Sequence, residues 1–569
     1  VQGGRGRLLG VLALVALIVV VVDWPVLGAQ AVSFDDATFI QWNPIVGRPG
    51  LASIGRAFSE VAHPSTVRGY YIPLTMVSLM ADFALGARFA DLRIFHGTNL
   101  ALHVATTLLL LLVWRGLFRR LAPAALVALA FALHPLTVEP LAWVAERKTL
   151  LASFFVLASL AAYVEHARRP AGSRPLLGAS LVAYLLALLS KPTAIPLPLL
   201  LLLLDAWPLR RLGARALWEK LPFLALAALS AVVTYRSHAA SAGLTAQGEG
   251  RAGEVSLLVV HNLGFYLEKF LWPAQLTSVY VPPRSLSFLE GEVALRVALV
   301  VAALALAALL RRRSPAPAVG LAFFALSLGP TLGVVRFSWV SVSDKYAYLP
   351  IIGLLLPLAA YLARAWDEAR GAATRRRAAL YVGAIVLAVL AARTRSQLSL
   401  WRDSETLQRH MAILAPDSAN VHSLLGNTLL ENGRLAEAEA EHSRALALAP
   451  NHPYARLYLL RVIELRGDSE RALAGYRELA LGLPAFAEAH WFLGRLYARR
   501  GDAQAAVREL SLAVAQKPQL MPARLDLAQA LLGANDRGAA VRALEASLEI
   551  FPDQPRAVAL LRQLSGAPG

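Results

Sequence analysis

The sequence predicts an all-α chain in two parts, a polytopic membrane helical bundle followed by a superhelix of stacked helix pairs. Three observations predict it. Of the 569 residues, 57% are hydrophobic and 17% charged, whereas a soluble domain has roughly a quarter of its residues charged. The apolar residues come in blocks of about 17 to 22, the length that crosses a bilayer as a helix. Beyond residue 395, Pro416, Pro450, Pro484, Pro518 and Pro552 recur at one constant spacing, as helix-pair repeats require.

In chain order, apolar spans fall at 8–29, 94–114, 121–135, 149–164, 175–190, 192–207, 216–234, 291–310, 315–335, 346–363 and 378–393. Arg5 and Arg7 precede the first, giving it the look of a signal sequence. The many spans after it favour an uncleaved signal-anchor. Two helix-like runs, 51–62 and 72–86, are expected to lie along the membrane surface. Residues 256–272 are long enough to span, but His261, Asn262, Glu268 and Lys269 give them a polar side. They read as an interfacial or re-entrant helix.

Lys and Arg then set the orientation. With a cytoplasmic N-terminus, inner loops are basic at about one position in three and outer loops at about one in ten. The net charge of +18 is thereby placed on inner loops, and a nucleic-acid partner is not expected. The bilayer is the expected partner, and everything after residue 395 lies extracytoplasmically. The chain has no cysteine, which excludes disulfides, thiolate nucleophiles and Cys-ligated metals.

Between the recurring prolines lie four blocks, 417–450, 451–484, 485–518 and 519–552, each holding two helices. Small residues recur where the two must approach, Gly426 and Gly494 at one position and Ala438, Ala472, Ala506 and Ala540 at another. Leu425, Leu493 and Leu527 fill the gap between the helices. This is the tetratricopeptide pattern, whose stacked pairs present a concave binding surface. Leu460 replaces the usual glycine in the second block, which should pack that pair less tightly. The expected division is 1–395 membrane bundle, 396–416 linker or leading helix, 417–552 repeats, and 553–569 capping helix and tail.

The outward ends of the spans gather polar residues. Asp35 and Asp36 follow the first span, where paired carboxylates beside a hydrophobic helix are costly unless paired, solvated or used. Either could instead cap a helix starting near Ala37. Arg68, Tyr70 and Tyr71 share that loop; His134, Glu139, Arg147 and Lys148 form the next outer turn; Lys191 begins the sixth span; Arg336, Asp344, Lys345 and Tyr346 precede the last outer span. Cations at low dielectric neutralise a phosphate leaving group, and a carboxylate opposite can take a proton from an attacking hydroxyl. Each cation, taken singly, could equally snorkel to the interface.

The order Phe34-Asp35-Asp36, Tyr71-Ile72-Pro73-Leu74-Thr75, His96-Gly97-Thr98-Asn99, His134-Pro135 to Arg147-Lys148, Ser190-Lys191-Pro192-Thr193 and Asp344-Lys345-Tyr346-Ala347-Tyr348 resembles the transmembrane and tetratricopeptide repeat-containing family. The resemblance runs over nearly the whole chain. It implies a GT-C glycosyltransferase that uses a polyprenyl-phosphate-linked sugar and inverts the anomeric centre, as in protein O-mannosyltransferases. It implies one of Asp35 and Asp36 as general base. Where the family commonly has an acidic residue after the lysine matched by Lys191, this chain has Pro192.

The expected function is transfer of mannose or another hexose from polyprenyl phosphate to Ser or Thr hydroxyls of an exported or membrane protein held by the repeats. Asp35 and Asp36 are the catalytic candidates. Arg68, His134, Glu139, Arg147, Lys148, Lys191, Arg336, Lys345 and Tyr346 are the donor-binding candidates. No metal is expected; a divalent ion would take the carboxylates, but the cations make it unnecessary for charge balance. The alternatives are a non-catalytic membrane-anchored scaffold for envelope proteins, and the same chemistry on a lipid or glycan acceptor.

Overall fold

The computed structural model describes residues 2–61, 67, 69–169, 172–242, 252–281, 286–333, 340, 342–369, 373–551 and 554–565. Among these, every regular element is a helix, and extended pairing is confined to an isolated bridge between Arg88 and Asp91. The chain forms two compact units, Val1–Val32 with Ile54–Asp403, and Ser33–Ser53 with Ser404–Gly569.

The first unit is the bundle. Its helices are α1 (Gln2–Asp23), α2 (Leu51–Ser59, whose first residues belong to the second unit), α3 (Pro73–Ala84), α4 (Arg93–Phe118), α5 (Leu121–Ala132), α6 (Val138–Ala142), α7 (Arg147–Arg168) and α8 (Arg174–Ser190). They continue with α9 (Leu197–Ala206), α10 (Ala214–Ala242), α11 (Ala252–Leu271), α12 (Gly291–Leu310), α13 (Ala316–Leu328), α14 (Ile351–Glu368) and α15 (Ala373–Leu400). Each of the eleven expected spans coincides with one or more of these helices, and the two surface runs with α2 and α3.

Among the described residues six helices are long and apolar enough to cross a membrane, at Arg5–Gly28, Arg93–Phe118, Val144–Arg168, Ala214–Ser237, Gly291–Leu310 and Thr374–Leu400. A seventh results if the pair Leu121–Ala132 and Pro135–Ala142, bent by 60°, counts as one. The expectation of eleven is therefore too high by this measure. The spans at 175–190, 192–207 and 315–335 fall on shorter apolar helices, which continuous apolar runs in sequence do not reveal. Of residues 256–272, all but Trp272 fall in α11, which is not among the six.

The bundle interior is built around large buried side chains such as Trp114, Phe131, Tyr163 and Tyr184. Helices meet closely where side chains vanish. A Cβ on Gly320 would lie 2.6 Å from the Gly353 carbonyl, and one on Gly353 would lie 2.6 Å from the Phe324 nitrogen. Only glycine at both positions lets α13 and α14 cross at that separation. Leu9, Leu17 and Val21 on α1, Val301, Leu304 and Leu309 on α12, and Ile385 and Val389 on α15 are all exposed. Apolar surface of that extent marks contact with a membrane or a partner.

The second unit holds α16 (Ser404–Leu414) and four helix pairs: α17 and α18 (Ala419–Glu431, Leu435–Leu448), α19 and α20 (Pro453–Leu465, Ser469–Gly482), α21 and α22 (Ala487–Arg499, Ala503–Gln516), and α23 and α24 (Met521–Gly533, Arg537–Ile550), closed by α25 (Pro555–Ser565). These pairs match the four sequence blocks. Ala438, Ala472, Ala506 and Ala540 are fully buried. The turn inside each pair needs a left-handed residue, supplied by Gly433, Gly467 and Gly501, and in the fourth by Asn535 at φ 62°. In three pairs an aspartate then caps the second helix, Asp468, Asp502 and Asp536 accepting from backbone nitrogens three residues on. In the pair α19/α20, where Leu460 replaces glycine, Leu457, Leu460, Leu473, Tyr476 and Leu479 form a buried cluster.

The units divide differently from the sequence reading in two places. The 395/396 boundary falls inside α15, which runs on to Leu400, and Trp401 beyond it is buried against Trp143 of the bundle. Residues 33–53, placed with the bundle because they follow its first helix, instead cluster with the repeats.

Candidate functional site

Three segments of the bundle unit converge on one carboxylate. The turn after α6 brings Glu146 to the start of α7, with Lys148 one step into that helix. The break between α8 and the turn Pro192–Ala194 presents Lys191, and the turn Asp344–Ala347 presents Lys345. Prolines at 192 and 350 bound these breaks, since a ring cannot continue the hydrogen-bond ladder. Lys148 and Lys191 each hold Glu146 at 3.1 Å and Lys345 at 3.8 Å. Thr149 donates to Glu146 at 2.6 Å and accepts from Lys191 at 2.7 Å.

Beside this cluster lies Glu139. It accepts from Ser278 at 2.6 Å, from the Ser343 hydroxyl at 2.9 Å and from the Lys345 backbone nitrogen at 2.7 Å, with the Lys345 ammonium at 3.9 Å. Asp344 accepts from the Tyr280 hydroxyl at 2.7 Å. Burial, reinforced by the Glu139 carboxylate, pushes the Asp344 acid well above the usual range. Lys345 stands 4.3 Å over the Trp143 ring, while Tyr346 lies within 5.8 Å of Lys191 and 5.6 Å of Lys345. Burial pushes the Lys191 ammonium down to about 8, against the pull of Glu146.

Lys191, Lys345, Tyr346, Thr149, Ser153 and Ser327 line a cleft of about 410 Å³, counted with its open mouth. The buried Lys148 and Lys191 and the half-buried Lys345 share Glu146, and Lys345 also reaches Glu139. Three ammonium groups thus face two carboxylates at low dielectric, an excess of one positive charge. An anionic group in the cleft would offset it, because buried charges are tolerated when paired. The arrangement is suited to holding a phosphate.

Of the donor-binding candidates, Glu139, Lys148, Lys191, Lys345 and Tyr346 come together here, and two do not. Arg147 points away, pairing with Asp82 at 2.7 Å and donating to Asn99, Ser78 and the Phe95 carbonyl, with no exposed surface. It fastens α7 to α3 and α4. His134 accepts from the Leu136 nitrogen, bonds the Phe270 carbonyl at 3.1 Å and stacks on the Phe270 ring. It holds a turn. Arg68 and Arg336 lie outside the described residues.

Glu146, the hub, is absent from the sequence-derived set, although it stands in the same turn, two residues before Lys148. Ser278 and Ser343 carried no signal of their own.

Asp35 and Asp36 belong to the repeat unit. Asp35 is exposed and Asp36 buried, and a short helix does begin at Ala37 without a side-chain capping bond from Asp36. The segment 33–53 is tied at both ends. The Ser33 nitrogen donates to the Ser404 hydroxyl at 2.9 Å, and its own hydroxyl accepts from Gln408 at 2.8 Å and lies 3.1 Å from that of Thr428. Arg48 donates to the Leu548 carbonyl on α24 at 2.9 Å. Phe39, Ile40, Ile45 and Val46 within it are buried. Among the described residues no three His, Asp or Glu side chains group as metal ligands would.

Comparison with known proteins addresses the repeat unit. The tetratricopeptide repeat family matches residues 497–564. A TPR repeat-containing thioredoxin, TTL4 of Arabidopsis thaliana, is 35% identical over 85 residues, 15% of this chain. The chain spans only 12% of that relative's length. Among solved structures, TTC0263, a thermophilic TPR protein of Thermus thermophilus, shares 20% identity over 28% of this chain and 89% of its own, with a TM-score of 0.27. MamA 41-end from Desulfovibrio magneticus shares 22% over 29% of this chain and 94% of its own, at 0.24. The helix pairs and the family match agree: this chain contains tetratricopeptide repeats.

Proposed function

We propose that the chain is an integral-membrane glycosyltransferase, moving mannose or another hexose from a polyprenyl-phosphate donor to Ser or Thr hydroxyls of an exported or membrane protein. The observation that supports it above others is the convergence of Lys148, Lys191 and Lys345 on Glu146, with Lys191 and Lys345 also lining a cleft. A donor with its tail in lipid would bring its phosphodiester there. The lysines would stabilise the charge that develops as the sugar C1–O bond to phosphate breaks, a group of fixed cations worth far more in a dry site than in water. The acceptor oxygen forms the new bond at C1 with inversion, its proton passes to a carboxylate, and polyprenyl phosphate leaves.

The assignment of Asp35 or Asp36 as that carboxylate rests on the family resemblance. In this reading the N-terminus is cytoplasmic, as the basic loops indicate, the repeats lie outside and bind the acceptor polypeptide, and no metal is required. The test is reconstitution in proteoliposomes with a radiolabelled polyprenyl-phosphate hexose and an exported acceptor. Transfer is expected from the natural chain and not from D35N/D36N of unchanged melting temperature. Full transfer by that variant removes the base assignment, and no transfer by the natural chain from any such donor removes the enzyme.

The repeat match favours a second reading, a membrane-anchored scaffold, since repeat arrays are commonly binding modules. A defined envelope protein bound stoichiometrically, with no transfer to it, would favour that reading. Transfer to a lipid or glycan instead of protein would keep the chemistry and change the acceptor.

A further inference from the structure

A second basic cleft lies at the other end of α4 and α7. The 22 residues of α7 carry it about 33 Å from the lysine cluster, at a rise of about 1.5 Å per residue. The cleft has a volume of about 1050 Å³, counted with its open mouth. Arg115 and Arg119 of the α4 end and Arg168 and Glu165 of the α7 end line its rim; Leu112, Val113 and Val164 line its floor. The two helices approach closely there, since a Cβ on Gly116 would meet Val164 at 3.2 Å.

Three observations single out these arginines. Among the described residues none of the three is in an ion pair, whereas their chain neighbours are: Arg120 with Asp367 at 2.5 Å and Arg169 with Glu165 at 3.6 Å. Asp367 is thus taken by Arg120, and Glu165, the one carboxylate in the cleft lining, is shared with Arg169. Arg115 and Arg119 stand four apart, a spacing at which like charges repel. Arg119 also adopts φ 60°, a helix-ending conformation usually left to glycine.

Cations at helix C-terminal ends complement the dipole; three around one cavity against the single carboxylate of Glu165 leave net positive charge for an external anion. The floor is apolar and both helices are among the six able to cross a membrane. A group that satisfies both halves has a phosphate head and hydrocarbon chains.

We propose that this cleft binds the phosphodiester headgroup of an anionic phospholipid, its acyl chains running along α4 and α7. The site is separate from the lysine cluster and does not depend on the transferase reading. It would anchor the end of the bundle remote from the chemistry in a leaflet bearing anionic lipid.

The test uses the full chain, delipidated in detergent and returned to nanodiscs of phosphatidylcholine with fluorescent phosphatidylglycerol. The natural chain should retain phosphatidylglycerol over phosphatidylcholine, and R115Q/R119Q/R168Q should lose that preference by about fivefold per arginine removed. R120Q/R169Q should keep it. R119Q alone, which removes one rim charge, should show a single such step should the triple variant melt early. Inorganic phosphate should not displace the lipid; displacement would assign the cleft to a soluble phosphate and overturn the lipid. Equal retention by R119Q and the natural chain, or equal loss in R120Q/R169Q, overturns the site.

Discussion

Ser33 and Thr428, 395 positions apart, hold their hydroxyl oxygens 3.1 Å from one another. Together with Arg48 on the Leu548 carbonyl, this ties the segment carrying Asp35 and Asp36 to the first and the last repeats. The array therefore has an internal partner, whatever external polypeptide it also binds.

Because the chain has no cysteine, this contact can be trapped without background. S33C/T428C should form one intramolecular disulfide under mild oxidation, read as a mobility shift in non-reducing gels. S33C paired with a cysteine at Leu512, exposed on α22, should not. Failure of the first pair to close would detach the segment from the repeats.

Helix pairs were legible because each repeats one pattern, with Ala438, Ala472, Ala506 and Ala540 marking the interface at constant spacing. The cluster was half legible: Lys148, Lys191 and Lys345 stand at span ends, where outer loops are otherwise poor in cations. The Arg147 role was not legible, since its partner Asp82 lies 65 positions earlier in a surface-like run and nothing local distinguishes Arg147 from Lys148. The fate of residues 33–53 was hidden for the same reason. Contacts across hundreds of residues leave no local period.

The second repeat offers a packing test. Leu460 stands where glycine is usual, and the small residue has moved to the facing helix: a Cβ on Gly475 would run into the Leu460 Cδ2. G475A should destabilise the repeat unit by about 1–3 kcal/mol through overpacking. L460A/G475A should recover much of that loss. Thermal melting followed by circular dichroism measures both, and an unchanged G475A melt would contradict the contact.

Arg147 separates structure from donor binding. R147Q strands Asp82 as a buried unpaired carboxylate, a loss of about 3–5 kcal/mol. D82N/R147Q removes both charges and should restore most of the stability. The donor KM of the restored protein should match the natural chain. A raised KM at restored stability would return Arg147 to the donor site.

Lys191 gives the proposed site a pH signature. Burial lowers its ammonium to about 8 from an ordinary 10.5, so it is charged below pH 8 and neutral above it. A sugar phosphodiester keeps its single charge throughout this range. Donor binding should therefore be full below pH 8 and weaken as pH rises from 8 towards 10. Unfolding cannot mimic this. Between 8 and 10.5 the unfolded chain binds the proton that folded Lys191 has lost, so this group's contribution to folding stability rises with pH across that window. K191R, charged at every pH tested, should bind donor with a flat profile over pH 7–10. Donor affinity measured by fluorescence quenching in detergent would show it, and an equally steep fall in K191R would take the phosphate away from Lys191.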